Sequence, residues 1–164
     1  MSKFWGYFLL GLLLVIQVVP QFRVYGFFPD LILIFILSYT FKVGVTGGII
    51  FGSILGIVVD ILSSAIIGTH IMIFATVAYL VEFYSKIFVY ESPFTLPVVS
   101  LLSTFVKYLV LFLQSLIFHN ISISNVMLVM VIESVINFVF AFPMIWVNNK
   151  IILLIHKETL YSSL

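Results

Sequence analysis

The stretch GVTGGIIFGSILGIVVD, residues 44–60, places a glycine at every fourth position and ends with a carboxylate; the series is Gly44, Gly48, Gly52, Gly56 and Asp60. Residues four apart lie above one another on a helix, so the glycines form one bare stripe along an apolar helix. In water each mid-helix glycine would cost about 1 kcal/mol relative to alanine. In a bilayer, small residues at this spacing let helix backbones approach closely. The stretch therefore predicts a transmembrane helix whose glycine face packs against a helix of this chain or of a partner. Asp60 either sets the register of that packing or reaches water at the helix end.

The composition indicates a membrane protein. Of 164 residues, 63% are hydrophobic and 8% are charged, against roughly 25% charged in an average soluble domain. No polar run is long enough to form a separate soluble domain, so we expect one transmembrane domain over residues 1–164. A net charge of +1 gives no general attraction for nucleic acid. The absence of cysteine excludes disulfides and cysteine-ligated metals.

Breaks in hydropathy predict an all-α polytopic fold with six transmembrane helices, over residues 4–19, 27–41, 47–62, 71–88, 94–118 and 126–147. The first run follows a lysine as in a signal peptide, but no small residues mark a cleavage site, so we expect it to be retained. The second is short and could be re-entrant, which would leave five crossings. With a cytoplasmic N-terminus, the inner side receives five of the seven basic residues, Lys3, Lys42, Lys86, Lys150 and Lys157, and the outer loops receive Arg23. This bias predicts that both termini are cytoplasmic and favours six crossings.

Two charged residues are expected inside the bundle. Lys107 lies about 16 Å below the outer end of the fifth helix, and Glu133 lies about 10 Å below the outer end of the sixth. Either charge alone would be uncompensated inside the membrane, so we predict that the two form a buried ion pair. The alternative is that both face a substrate cavity.

Three residues near the start of the second helix are predicted to be polar anchors at the outer surface. Asp30 follows Pro29, where a carboxylate can accept the free backbone N–H groups of a helix N-terminus. Arg23 is close enough in the chain to pair with Asp30, and a contact with a partner is a further possibility.

The sequence offers little for catalysis or metal binding. His70 and His119 fall near the outer surface, but two histidines without a third ligand make a poor zinc site. Ser63 and Ser64 precede His70 without a recognisable nucleophile motif. We therefore predict no enzyme, no cofactor and no metal.

One segment resembles a known family. Pro29-Asp30-Leu31, then Tyr39, the glycine series ending at Asp60, and Gly68 resemble MreD, the rod shape-determining membrane protein of bacteria. The resemblance is specific over residues 29–68, and elsewhere it depends on hydropathy and length.

The resemblance implies a non-enzymatic scaffold in the bacterial cytoplasmic membrane. The family acts in the elongasome, which inserts peptidoglycan along the side wall. It implies association with MreC and, through it, with a class B penicillin-binding transpeptidase, RodA and MreB. It also implies a fold similar to the S-components of energy-coupling-factor transporters.

The alternative function is a substrate-binding subunit of a membrane transporter. Such a subunit should present several convergent polar groups in a pocket. Residues 71–147 offer few candidates besides Lys107, Gln114, Glu133 and Asn137. Gln114 and Asn137 could equally form hydrogen bonds between helices, so this scarcity favours the scaffold.

Overall fold

The computed structural model describes residues 2–18, 29–63, 66–88, 92–118 and 126–160. Within these ranges the chain forms six α-helices and no strand: α1 Ser2–Val18, α2 Leu31–Val43, α3 Val45–Ser63, α4 Thr69–Ile87, α5 Thr95–Phe118 and α6 Val126–Leu160. Helices α3 to α6 are long and apolar enough to cross a membrane, whereas α1 and α2 are shorter apolar helices. The predicted all-helical fold with six helices is confirmed, and four of the six have the length of a membrane span.

Helix α2 forms the centre of the bundle. All ten residues from 31 to 40 are buried, because the other five helices all contact α2. The sequence LILIFILSYT suits this position, since a helix that is apolar all round must be enclosed. Its 13 residues span about 20 Å, less than the roughly 30 Å of bilayer hydrocarbon. The short second segment is therefore an enclosed central helix.

The other helices form a ring around α2. Neighbouring contacts join α3 to α4, α4 to α5, α5 to α6, α6 to α1 and α1 to α3. Gly6 of α1 packs closely against Ile155 of α6. The N-terminal part of α1 and the C-terminal part of α6 therefore lie at the same end of the bundle.

The boundary between α2 and α3 differs from the prediction. Hydropathy placed residues 42–46 between two helices, but Gly44 alone separates α2 from α3. Its φ of +99° lies in a region that side chains with a Cβ rarely adopt, and its N–H caps α2 through Thr40 O at 2.9 Å. No atom lies within 4 Å of the position of an added Cβ. Gly44 was predicted to belong to the packing stripe; it instead forms the corner at which the chain reverses.

Helix α6 is longer than predicted. It was expected to end at residue 147, before the polar run at 148–150, but it continues to Leu160 and includes Pro143. Asn148 is fully buried and donates a hydrogen bond to Ser38 Oγ of α2 at 2.9 Å. Ile151 and Ile152 beyond it are also buried. The polar run is therefore part of the packed helix, since Asn148 has a partner inside the bundle.

Candidate functional site

A cluster of polar side chains joins four helices inside the bundle. We call it the polar network; its members are Gln17 of α1, Asp30 at the start of α2, Lys107 and Tyr108 of α5, and Glu133 and Asn137 of α6. Asp30 is 4% exposed, and Asn137 is completely buried. Burying such groups in an apolar interior costs free energy unless they are paired or hydrogen-bonded. Each partner in the network therefore offsets part of that cost.

Lys107 bridges two carboxylates from different helices. Its Nζ donates to Asp30 Oδ2 at 2.9 Å and also forms an ion pair with Oε1 of Glu133. Tyr108, the next residue, donates its hydroxyl to Oε2 of Glu133. The structure thus brings together the two residues that were predicted to pair, and it adds Asp30 as a third charge.

Asp30 uses both carboxylate oxygens. Oδ1 accepts hydrogen bonds from the backbone N–H of Leu33 at 3.1 Å and from Gln17 Nε2 at 2.7 Å. Oδ2 accepts from Lys107. Asp30 therefore caps α2, as the sequence predicted, while it also binds side chains of α1 and α5.

The free backbone N–H groups at the N-terminus of α2 form hydrogen bonds with side chains of other helices. Gln17 Oε1 accepts a hydrogen bond from the N–H of Ile32 at 2.8 Å, and Asn137 Oδ1 accepts from the N–H of Asp30 at 2.7 Å. A helix that begins inside an apolar bundle cannot rely on water for its first N–H groups. The side chains from α1 and α6 take that role, and Asn137 in turn donates to Thr104 Oγ1 of α5 at 2.8 Å.

The predicted outer-surface anchors need correction. Pro29 and Asp30 are both buried, so they lie within the bundle and do not form a surface patch. Arg23 lies outside the described residues. The reason for the difference is that Asp30 has Lys107 as a partner 77 residues away along the chain, which no local pattern indicates. Gln17 and Tyr108 were not predicted as members; the isolated polar Gln17 at the end of an apolar run is the available signal.

The glycine face of α3 packs against helices of the same chain. Gly48 lies against the side chain of Thr40 in α2, and a Cβ on Gly52 would come within 3.4 Å of Phe74 in α4. A Cβ on Gly56 would lie 2.6 Å from a backbone nitrogen of α4. All three glycines are buried, so α2 and α4 occupy the face that the sequence offered to either an internal helix or a partner.

Asp60 ties the end of α3 to the start of α4. Its Oδ2 accepts from the N–H of Gly68 at 2.8 Å, and its Oδ1 accepts from the N–H of His70 at 3.0 Å. The Nδ1 of His70 lies 2.6 Å from the same Oδ1. Asp60 is 1% exposed, so it supplies the cap for the N-terminus of α4 from the neighbouring helix. The sequence had not linked His70 to Asp60.

These contacts fix helices in position. Within the polar network, the carboxylates, the ammonium group and the amides are hydrogen-bonded to one another or to helix N–H groups. Among the described residues, no group of three or more histidine, aspartate or glutamate side chains is placed to hold a metal ion. The arrangement is suited to holding α1, α2, α5 and α6 in one relative orientation.

Comparison with known proteins gives one match. A family model described as rod shape-determining protein MreD matches residues 2–151. That range includes α1 to α5, most of α6 and every member of the polar network. Comparisons with curated proteins and with solved structures gave no significant match.

Proposed function

The chain belongs to the MreD family of rod shape-determining membrane proteins, and we propose that it is a non-enzymatic scaffold of the elongasome. In this role it binds MreC and thereby supports lateral peptidoglycan synthesis by a class B penicillin-binding transpeptidase and RodA, in coordination with MreB. The observation that carries the proposal is the family match over residues 2–151.

The internal bonding of the polar network supports a scaffold. A binding subunit of a transporter needs polar groups that are available to a ligand. Here Lys107 bonds to Asp30 and Glu133, and Asp30 also bonds to Gln17 and to the backbone of α2. These groups stabilise the bundle, so nothing in the site favours the transporter alternative over the family's role. A fold similar to the S-components of energy-coupling-factor transporters remains part of the proposal.

The proposed location is the bacterial cytoplasmic membrane, with both termini in the cytoplasm. Lys42 and Lys86 lie in the last turns of α2 and α4, and this supports a cytoplasmic position for these helix ends, because cytoplasmic loops carry an excess of basic residues. The contact of Gly6 with Ile155 is consistent with both ends of the chain on one side.

Affinity purification from the native cell tests the proposal. The tagged chain is extracted in mild detergent, and proteins that co-elute are identified by mass spectrometry. We expect an MreC-like protein with one membrane helix, together with the transpeptidase. Co-elution of an ATPase pair with a coupling subunit would contradict the scaffold and support a transporter.

Two variants make the purification more specific. A Cβ at Gly11 would meet no atom within 4 Å, so Gly11→Ala should retain the partners. Gly56→Leu places a large side chain where backbone atoms of α4 lie and should lose them together with the folded bundle. If Gly56→Leu unfolds and still captures the same proteins, their capture is not specific association.

A further inference from the structure

Helix α4 turns polar residues outward. Its buried residues in the helix interior are apolar, including Ile73, Phe74, Val77 and Val81, and α4 has the lowest mean hydropathy of the four long helices. Four carboxylates have side chains that the structure describes, and Glu82 is the one among them that is exposed, at 58%. The outer face of α4 is therefore poorly suited to lipid.

The exposed charges of α4 lie inside the helix end. Glu82 precedes the last residue of α4 by five positions, about 7.5 Å along the axis. A carboxylate that faces lipid inside a helix end is costly, whereas Lys86, one residue before the end of α4, can reach the membrane surface. Lys86 lies one turn further on, with its Nζ 3.8 Å from Glu82 Oε1, and such an exposed pair contributes little stability. A further ammonium group from a facing protein surface would compensate Glu82.

The same face of α4 carries a groove and two exposed aromatic side chains. A groove of about 320 Å³ is lined by Tyr79, Leu80, Glu82, Phe83 and Lys86, and the side chains of Tyr79 and Phe83 are largely exposed. An interface between two copies about a twofold axis uses one patch twice, so the patch must be complementary to itself. The combination of a groove with exposed aromatic rings, and of a carboxylate with an ammonium group, meets that requirement.

We propose that the outer face of α4, defined by Tyr79, Glu82, Phe83 and Lys86, binds a second copy of this chain. The two α4 helices lie parallel, because both copies have the same orientation in the membrane. Each Lys86 then lies between the Glu82 of its own chain and that of the other, and an aromatic ring of one copy enters the groove of the other. The large exposed side chains of α3 are by contrast apolar and suit lipid; they include Ile50, Ile54, Ile57 and Ile61.

Single-cysteine crosslinking tests the surface directly, since the chain contains no cysteine. Phe83→Cys is placed in the proposed contact, where the native side chain is 59% exposed. Ile54→Cys in α3 and Val135→Cys in α6 are matched controls, with native exposures of 53% and 55%. After oxidation in native membranes, we expect on the order of tenfold more product of twice the chain's mass from Phe83→Cys than from either control, since a fixed contact raises the effective concentration of the second thiol.

Charge variants test the pairing across the interface. Glu82→Lys in the Phe83→Cys background should lower the dimer yield, because four ammonium groups then meet at the axis. The combined Glu82→Lys and Lys86→Glu change should restore the yield, because the patch is again complementary to itself. All these side chains are exposed, so the monomer should remain folded.

Three results would overturn the proposal. They are equal dimer yields at all three cysteine positions, a crosslinked product whose mass is not twice that of the chain, and a yield that is insensitive to the charge changes. The second result would mean that a different protein covers α4. None of these results bears on the elongasome proposal, which is judged by the proteins that co-elute.

Discussion

Replacing Lys107 with methionine tests whether the polar network holds the bundle together. Methionine keeps an unbranched side chain and removes the ammonium group that bridges Asp30 and Glu133. The two carboxylates, from α2 and α6, then face each other without a cation. We therefore expect Lys107→Met to be strongly destabilising.

The size of the effect follows from burial. Removing one partner of a buried ion pair typically costs about 3–5 kcal/mol, because the remaining charge is uncompensated. For a chain of this length each kcal/mol lowers the unfolding midpoint by about 2–4 °C, so the expected loss is roughly 6–20 °C.

Heating of the detergent-purified protein, followed by size-exclusion chromatography, measures the midpoint. Lys150→Met is the control, because Lys150 is exposed and stacks on Trp146; it should change stability by less than about 1 kcal/mol. Lys107→Met combined with Glu133→Gln should recover part of the loss. It removes one of the unpaired charges and leaves Asp30 with its other hydrogen-bond donors.

A midpoint for Lys107→Met within about 2 °C of the wild-type value, less than the effect of 1 kcal/mol, would refute this reasoning. A double variant that is less stable than Lys107→Met would also refute it, since the two changes are expected to be coupled through one network. Either result would mean that the ion pairs are not what fixes α2, α5 and α6.

Three further changes probe the helix packing, each measured by the same thermal assay. Gly56→Ala should lower the free energy of unfolding by about 1–3 kcal/mol, because a backbone atom of α4 cannot move aside. The control, Gly11→Ala, should be neutral or stabilising. Equal stabilities of the two variants would contradict the close α3–α4 contact. Gly44→Ala should lower the free energy of unfolding by about 1–3 kcal/mol, because its φ of +99° and ψ of 162° lie in a backbone region that essentially only glycine adopts; a neutral result would argue against the one-residue corner. Asp60→Ala should cost about 2 kcal/mol by leaving N–H groups of α4 without an acceptor, and unchanged stability would show that this cap is dispensable.

The sequence by itself determined the membrane environment, the fold class and the family. Long apolar runs separated by short polar segments identify helices, because hydropathy and helix formation depend on residues that are close in the chain. In the part of the chain that the structure describes, six helices are observed where six were predicted. The series of Gly48, Gly52 and Gly56 was also visible as a packing face, since a spacing of four is a property of one helix. The family suspected from residues 29–68 is the family whose model matches.

The tertiary structure alone decided which polar groups meet. Asp30 looked like a surface cap because its sequence neighbours form the start of a helix, yet its main partner, Lys107, is 77 residues away. The occupants of the glycine face and the continuation of α6 past Asn148 likewise depend on helices that are distant in sequence. A local sequence pattern shows that a group is polar or that a helix face lacks side chains, but it does not show which helix lies against that group or face. The depth at which α2 begins, and the helices that surround it, follow from the packing of the whole bundle.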